Sequence, residues 1–211
     1  MTVIAGLVHN GRVHLAGDSA GVGGYSLTVR RDPKVFRNGP YAMGFTSSFR
    51  MGQLLQHALR PPCPKGDLER FMVTTFIDTV RTCLKDGGWA QKESEQEQAG
   101  VFLVGVHGRL FTVDSDYQVG ESADGYVAAG CGDDLALGAL HATAGLGLKP
   151  RARLNSALAA AEHHSAGVTG PYTFTSTPKH SAGRQCPGAP GVTSTPPHAG
   201  TEGSTAWPTP G

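Results

Sequence analysis

The residue with the most distinctive chemistry is Thr2, in the opening stretch Met1-Thr2-Val3-Ile4-Ala5-Gly6-Leu7-Val8. Once Met1 is removed, one residue carries both a hydroxyl nucleophile and, in its free α-amine, a base to activate it. An α-amine has a reference pKa of about 7.7–8.0, so its free-base form is accessible near neutral pH, where a general base works best. Threonine is small enough at position two for an aminopeptidase to be expected to take Met1 off, with no propeptide. Taken alone, the stretch reads more readily as the plain start of a buried strand, apolar and rich in β-branched side chains where most termini are loose and polar. Asp18 follows a strand and fits a turn residue. Lys34 follows Pro33 and fits a surface strand residue. Cys63, Cys83, Cys131 and Cys186 lack any CxxC spacing and read as reduced thiols. The 9 histidines form neither HxxxH nor HExxH, and the adjacent His163-His164 reads as surface or local structure, so no metal site is expected.

The chain has 211 residues, 39% of them hydrophobic, and a formal net charge of +1. That is enough for one domain with a sizeable core, with or without a tail. Near-neutral charge argues against a nucleic-acid or acidic-membrane partner. No apolar run approaches the ~20 residues of a membrane helix, and no basic region precedes the apolar start as a secretory signal requires. The chain is therefore expected to be cytoplasmic.

The elements that must position Thr2 begin with Asn10-Gly11, a strong hairpin signal between strands at 3–8 and 12–16, because both turn residues accept φ > 0. Residues 21–24 read as a mobile glycine loop and 26–30 as a short strand. Residues 34–36 and 41–45 flank a second turn at Asn38-Gly39. A helix follows, capped by Ser47 or Ser48, with Met51, Leu54, Leu55, Ala58 and Leu59 on one face; Pro61, Pro62 and Pro64 stop it. Asp67 caps a longer helix whose expected buried stripe is Leu68, Phe71, Met72, Thr75, Phe76, Thr79, Val80 and Cys83, ended by Gly87-Gly88. Residues 91–98 read as a charged, solvated loop. Strands return at 101–106 and 109–113 around His107-Gly108, and again at 126–129. Gly130-Cys131-Gly132 leads into an Asp133-capped helix carrying Leu137, Leu140 and Ala144. Pro150 suits the first turn of another helix, with Leu154, Ala157, Leu158 and Ala161 inward, before a last strand at 172–175. From Pro178 onward Pro, Gly, Ser, Thr and Ala dominate and apolar periodicity ends, which predicts a disordered tail over 178–211 after a domain at 1–177. Strand blocks that shield each other with helices outside suggest an α+β, four-layer α-β-β-α sandwich of antiparallel sheets; pattern alone equally allows another α+β arrangement.

Several segments, in order, resemble the N-terminal-nucleophile hydrolases, specifically the proteasome β subunits and the bacterial HslV peptidase. Thr2-Val3-Ile4-Ala5-Gly6 is similar to the family's Thr-Thr-Ile-Val start, and Asn10-Gly11-Arg12-Val13 to its first hairpin. Leu15-Ala16-Gly17-Asp18-Ser19 is similar to its Ala-x-Asp segment and Lys34-Val35-Phe36 to its lysine strand. Gly44-Phe45-Thr46-Ser47 is similar to its Gly-Phe-Ala-Gly turn and Gly130-Cys131-Gly132 to its Gly-Ser-Gly. The distances along the chain from threonine to aspartate to lysine match as well. The resemblance covers about residues 2–176. It implies Thr2 as nucleophile, Lys34 as the cation that lowers the amine's pKa and polarises the hydroxyl, and Asp18 as the partner that orients Lys34. It also implies an oxyanion site at the Thr46-Ser47-Ser48 turn. The implied reaction is amide hydrolysis through an acyl-enzyme ester.

The chain departs from that pattern at three places. Cys131 stands for the serine of Gly-Ser-Gly, and a thiol is a weaker hydrogen-bond partner than a hydroxyl. Ser47 stands for the oxyanion glycine. His164-Ser165-Ala166-Gly167 stands for Asp-x-x-Ser-Gly, with His164 in place of the carboxylate and Ser165 as a further supporting hydroxyl. The resemblance implies a threonine peptidase acting on polypeptides or peptides, assembled as a homo-oligomeric ring, with an ATPase unfoldase as a further partner, since this chain has no phosphate-binding Gly-x-x-x-x-Gly-Lys-Ser/Thr loop. It implies no cofactor. Two alternatives stand beside it: a catalytically weak or inactive ring-forming structural subunit of the same fold, and an amidase for a non-protein substrate.

Overall fold

The computed structural model describes residues 2–89, 91–93, 96–98 and 100–179. The first hairpin joins β1 (Val3–His9) to β2 (Arg12–Gly17). Asn10 and Gly11 turn it with φ of 49° and 67°, the pair of positive angles that a two-residue hairpin of the right twist requires. A second hairpin, β3 (Ala20–Gly23) and β4 (Ser26–Val29), replaces the expected glycine loop. Backbone pairing needs no apolar alternation, so a glycine-rich strand is easily missed by pattern. The third hairpin is β5 (Val35–Asn38) and β6 (Tyr41–Phe45).

Ser48 caps α1 (Phe49–Gln53), its side chain accepting from Arg50 N, and the helix widens into π-type turns over Leu54–Ala58. Asp67 caps α2 (Leu68–Phe71) in the same way, accepting from Arg70 N. That helix passes through π-type turns at Met72–Phe76 into α3 (Ile77–Asp86). Wider turns change the helical phase. Phe71, Met72, Phe76 and Val80 are buried as expected, but Ile77 and Leu84 join them while Thr75 is exposed and Thr79 only half-buried. The expected loop at 91–98 contains a hairpin, β7 (Gln91–Glu93) with β8 (Gln96–Gln98), paired from Gln91↔Gln98 inward.

The remaining strands are β9 (Phe102–Val106), β10 (Arg109–Val113), β11 (Val119–Glu121) and β12 (Tyr126–Gly130). Then come α4 (Asp133–Ala142), α5 (Pro150–His164) and β13 (Thr173–Ser176). Gly132 holds the cap position of α4; Asp133, expected there, is instead its first residue and accepts from Asp134 N. Ala136 and Leu140 are the buried residues of α4; Leu137 is half-buried and Ala144 exposed. α5 turns Leu154, Ala157, Leu158 and Ala161 inward as its spacing predicts.

One sheet runs β12-β1-β2-β13 and the other β11-β10-β9-β6-β5, with every pair in them antiparallel. Ile4, Val13, Leu15, Val35, Leu103 and Leu110 fill the space between the sheets. α1, α2 and α3 cover the outer face of the five-stranded sheet through Met51, Leu55, Phe76 and Val80 against Met43, Phe102 and Phe111. α4 and α5 cover the other through Leu140, Leu154 and Leu158 against Val3, Leu7 and Ala16. Three separate apolar layers between four layers of secondary structure are the α-β-β-α sandwich. Cys83 and Cys131 carry free thiols. Cys63 is disulfide-bonded, which corrects the expectation of four reduced thiols: spacing rules see neighbouring pairs, not cysteines joined by the fold. Among the described residues no helix is long and apolar enough to cross a membrane. The expected tail from 180 onward lies outside the described residues.

Candidate active site

Thr2 leads into β1, which is paired on both sides: Ile4 with Gly17 of β2, and Val3 with Gly130 of β12. The β1–β2 register carries Asp18, just past the end of β2, alongside Val3, where Asp18 N donates to Val3 O. Lys34 arrives from the other sheet, immediately before β5; its Cβ lies against the backbone of Gly17. Thr2, Asp18 and Lys34 are therefore brought together by two strands of one sheet and the edge of the other.

All three are buried, with Asp18 at 0% and Lys34 at 2% exposure. Thr2 Oγ1 donates to Asp18 Oδ1 at 2.5 Å. Lys34 Nζ donates to the same oxygen at 2.7 Å and to Ala20 O at 2.6 Å. Val3 N adds a third donor to Oδ1 at 3.0 Å, and Ala20 N bonds Oδ2 at 2.9 Å. A buried carboxylate so fully paired is a fixed anchor, and removing one partner of such an ion pair costs about 3–5 kcal/mol. Burial lowers the Lys34 pKa below the ordinary lysine value, while Asp18 works in the opposite direction through its charge and hydrogen bond.

On the far side of Thr2, its nitrogen lies 3.1 Å from Cys131 Sγ, and the thiol donates back to Thr2 O at 3.3 Å. Ser165 Oγ is 3.7 Å from the same sulfur. Gly130, which presents Cys131, has φ of 113°. A Cβ there would sit 2.3 Å from Thr2 O, so both backbone angle and space demand glycine. His164 is not brought to this cluster. It is exposed at the end of α5 and packs edge-on against His163 at 4.5 Å; among the described residues no hydrogen bond joins it to Thr2 or Cys131. Ser165 is the cap of α5, and the chain turns there, directing its hydroxyl inward and leaving His164 outside.

Ser47 has φ of 65°, a left-handed angle that a side chain adopts at a cost of order 1–2 kcal/mol. Its turn is tied to the start of β9: Thr46 N donates to Val101 O at 2.9 Å and Val101 N to Ser47 Oγ at 3.3 Å. Ser48 N is engaged with Thr46 O at 2.7 Å, which leaves Ser47 N as the N–H of this turn with no acceptor among the described residues. A small cavity of about 70 Å³ adjoins it, lined by Thr2, Lys34, Val22, Phe45, Phe49 and the turn itself. The Phe49 ring is held edge-on to Phe45 at 5.6 Å and capped by the Arg30 guanidinium at 3.8 Å, which Asp32 grips through two bonds. Phe49 carries no sequence signal of lining a cleft, being one aromatic directly after a Ser cap. A larger hollow of about 780 Å³, between α3 and the π-type turns at Leu54–Ala58, touches none of the three.

The fold recurs in solved structures. Thiobacillus denitrificans BPH in complex with epoxomicin superposes with a TM-score of 0.71 at 20% identity, covering 83% of this chain and 98% of that one. The chain has the N-terminal-nucleophile hydrolase fold. HslV from Trypanosoma brucei shares this fold with a TM-score of 0.61 at 19% identity, over 83% of this chain and 98% of its own. The Anbu (Gly-1) mutant from Hyphomicrobium sp. strain MC1 gives 0.59 at 14% identity, over 82% and 80%. No family model and no curated protein matches the sequence. Within the N-terminal-nucleophile fold, the end of β1 beside Cys131 is where this chain places its threonine.

Proposed function

We propose that the chain is an N-terminal threonine hydrolase of peptide bonds, with Thr2 exposed by removal of Met1. The observation that carries this reading is the buried Thr2 Oγ1–Asp18–Lys34 cluster, set in a fold shared with HslV. The freed α-amine, held beside Cys131, takes the proton of Thr2 Oγ1 as that oxygen attacks a peptide carbonyl. Lys34 supplies positive charge at the hydroxyl, and Asp18 fixes both. The oxyanion is received by Ser47 N–H. The protonated amine then passes its proton to the departing amine, leaving an ester on Thr2 that water hydrolyses by the reverse proton path. Asp18, Lys34 and Thr2 carry the chemistry; Ser47, Cys131 and Ser165 support it. The protein works as a homo-oligomeric ring on polypeptide or peptide substrates in the cytoplasm, with unfolding by an ATPase partner.

The BPH structure is a complex with epoxomicin, which makes that molecule a natural probe. Intact-mass analysis is expected to show loss of Met1 and one epoxomicin adduct on Thr2, and Thr2→Ala to abolish both adduct and peptide hydrolysis. Retention of Met1 with no adduct overturns the proposal. A second reading, a ring subunit with little or no activity, draws on Ser47 and the small cavity. Hydrolysis unaffected by Thr2→Ala, in a protein that still assembles, favours it.

A further inference from the structure

Asp18 organises the site, and the residue after it is held from outside the sheet. Ser19 N donates to Thr169 O at 2.9 Å, and Ser19 Oγ to Pro171 O at 2.5 Å. The segment 169–172 lies between α5 and β13, and its other side is gathered onto a single carboxylate. Glu162, on the last turn of α5, accepts from Thr169 Oγ1 at 3.2 Å, from Gly170 N at 2.9 Å and from the Tyr172 hydroxyl. Glu162 thus holds Thr169, one of the two residues whose carbonyls hold Ser19, and both chain neighbours of the other, Pro171.

We infer that Glu162 is a positioning residue for the Thr2 site, acting through the 169–172 segment and Ser19 on Asp18. Glu162 itself touches none of the three reacting groups. Its influence runs through two sets of hydrogen bonds, and both have to be in place to keep Asp18 Oδ1 under Thr2 Oγ1. Three donors on one carboxylate favour its charged form, and its pKa is lowered mainly by the Tyr172 hydroxyl and the Gly170 N–H. Glu162 is exposed, so its replacement leaves the apolar layers untouched. The catalytic part of this inference rests on the threonine-hydrolase reading; the mechanical part does not.

Two variants, Glu162→Gln and Glu162→Ala, are compared with Ser19→Ala and with the double variant Ser19→Ala/Glu162→Gln. Peptide hydrolysis is expected to lose about ten- to a hundred-fold in kcat with KM little changed, and Glu162→Gln to retain more activity than Glu162→Ala. Because both positions act through one segment, and Ser19→Ala removes the Oγ bond but keeps that from the backbone N, the double variant is expected to lose less than the product of the two single losses. Amide hydrogen exchange supplies a readout independent of activity: Ser19 N reports its bond to Thr169 O, and Ala20 N reports Asp18 Oδ2 directly. Faster exchange at both amides in Glu162→Ala, with a lower kcat, supports the inference. Unchanged exchange overturns it whatever the activity, as does faster exchange with wild-type kcat. If the wild-type protein hydrolyses nothing, the threonine-hydrolase reading has failed by itself, and the exchange at Ala20 alone decides whether Glu162 holds Asp18.

Discussion

At the scale of single residues, the site turns on one buried cation and one buried anion. Lys34 has a folded pKa below its unfolded value because burial outweighs Asp18. The folded state therefore binds fewer protons than the unfolded one between those values. The associated stability is present above the unfolded value of about 10.4 and is lost as pH falls through the folded one. Under the proposed mechanism activity has the opposite dependence, since that mechanism needs Lys34 charged. The alkaline limb of kcat/KM is expected below the ordinary lysine range, and the acid limb to follow the Thr2 amine; a pH–rate profile checks both. An alkaline limb at or above the lysine range would contradict the burial argument. The spacing of Asp18 and Lys34 from Thr2 was readable in the chain. Ser165 was also readable, but His164 at the next position was not, because the last turn of a helix decides which of two neighbours faces inward.

At the scale of elements, two turns bear on the proposed catalysis. The turn at Ser47 is strained, with a side chain at φ of 65°. Ser47→Gly removes that strain but also the bond from Val101 N to Ser47 Oγ. The two effects oppose, so stability is expected to stay within about 1 kcal/mol by denaturant titration, while hydrolysis rises because the cleft beside the N–H is cleared. A fall in kcat would mean that the Val101 tie is what aims the turn. At Gly130 no such balance exists. Gly130→Ala drives a methyl into Thr2 O, so epoxomicin capture at Thr2 is expected to be lost, even where circular dichroism shows the sheets intact. The hairpin turned by Asn10-Gly11 was evident from residue types; the expected turn at Asn38-Gly39 falls one residue later, at Gly39-Pro40, because Asn38 still pairs with Tyr41 as the end of β5. β3 and the β7–β8 hairpin were not evident, since glycine-rich and charged stretches lack the alternation that marks a half-buried strand.

At the scale of the whole molecule, the site is a product of sheet packing. Thr2 and Asp18 belong to one sheet and Lys34 to the other, so the layer between them sets the distance from Lys34 to Asp18. Leu103 is fully buried in that layer. Leu103→Ala is expected to cost about 2–5 kcal/mol, read as a lower denaturant midpoint with unchanged slope. The same variant is expected to lower kcat under conditions where it is still fully folded, whereas Leu158→Ala, beneath α5, costs similar stability with less effect on kcat.

By itself, the sequence determined most of the local elements and the residue types at the proposed site. Residue type sets turn angles, helix caps and apolar periodicity, and these act over a few neighbours. It also pointed to Thr2, Asp18 and Lys34 through ordered segments along the chain. Only the tertiary structure decided that His164 stays outside the cluster in which Cys131 and Ser165 lie beside Thr2. The same holds for Phe49, which walls the cleft, for Cys63, which is bonded, and for Glu162, which gathers the segment that holds Ser19. The contacts of Cys131 with Thr2 and of Ser19 with residues 169 and 171 join residues far apart in the chain. Their existence depends on sheet register, helix phase and the packing of one layer on the next, none of which is a property of any short stretch.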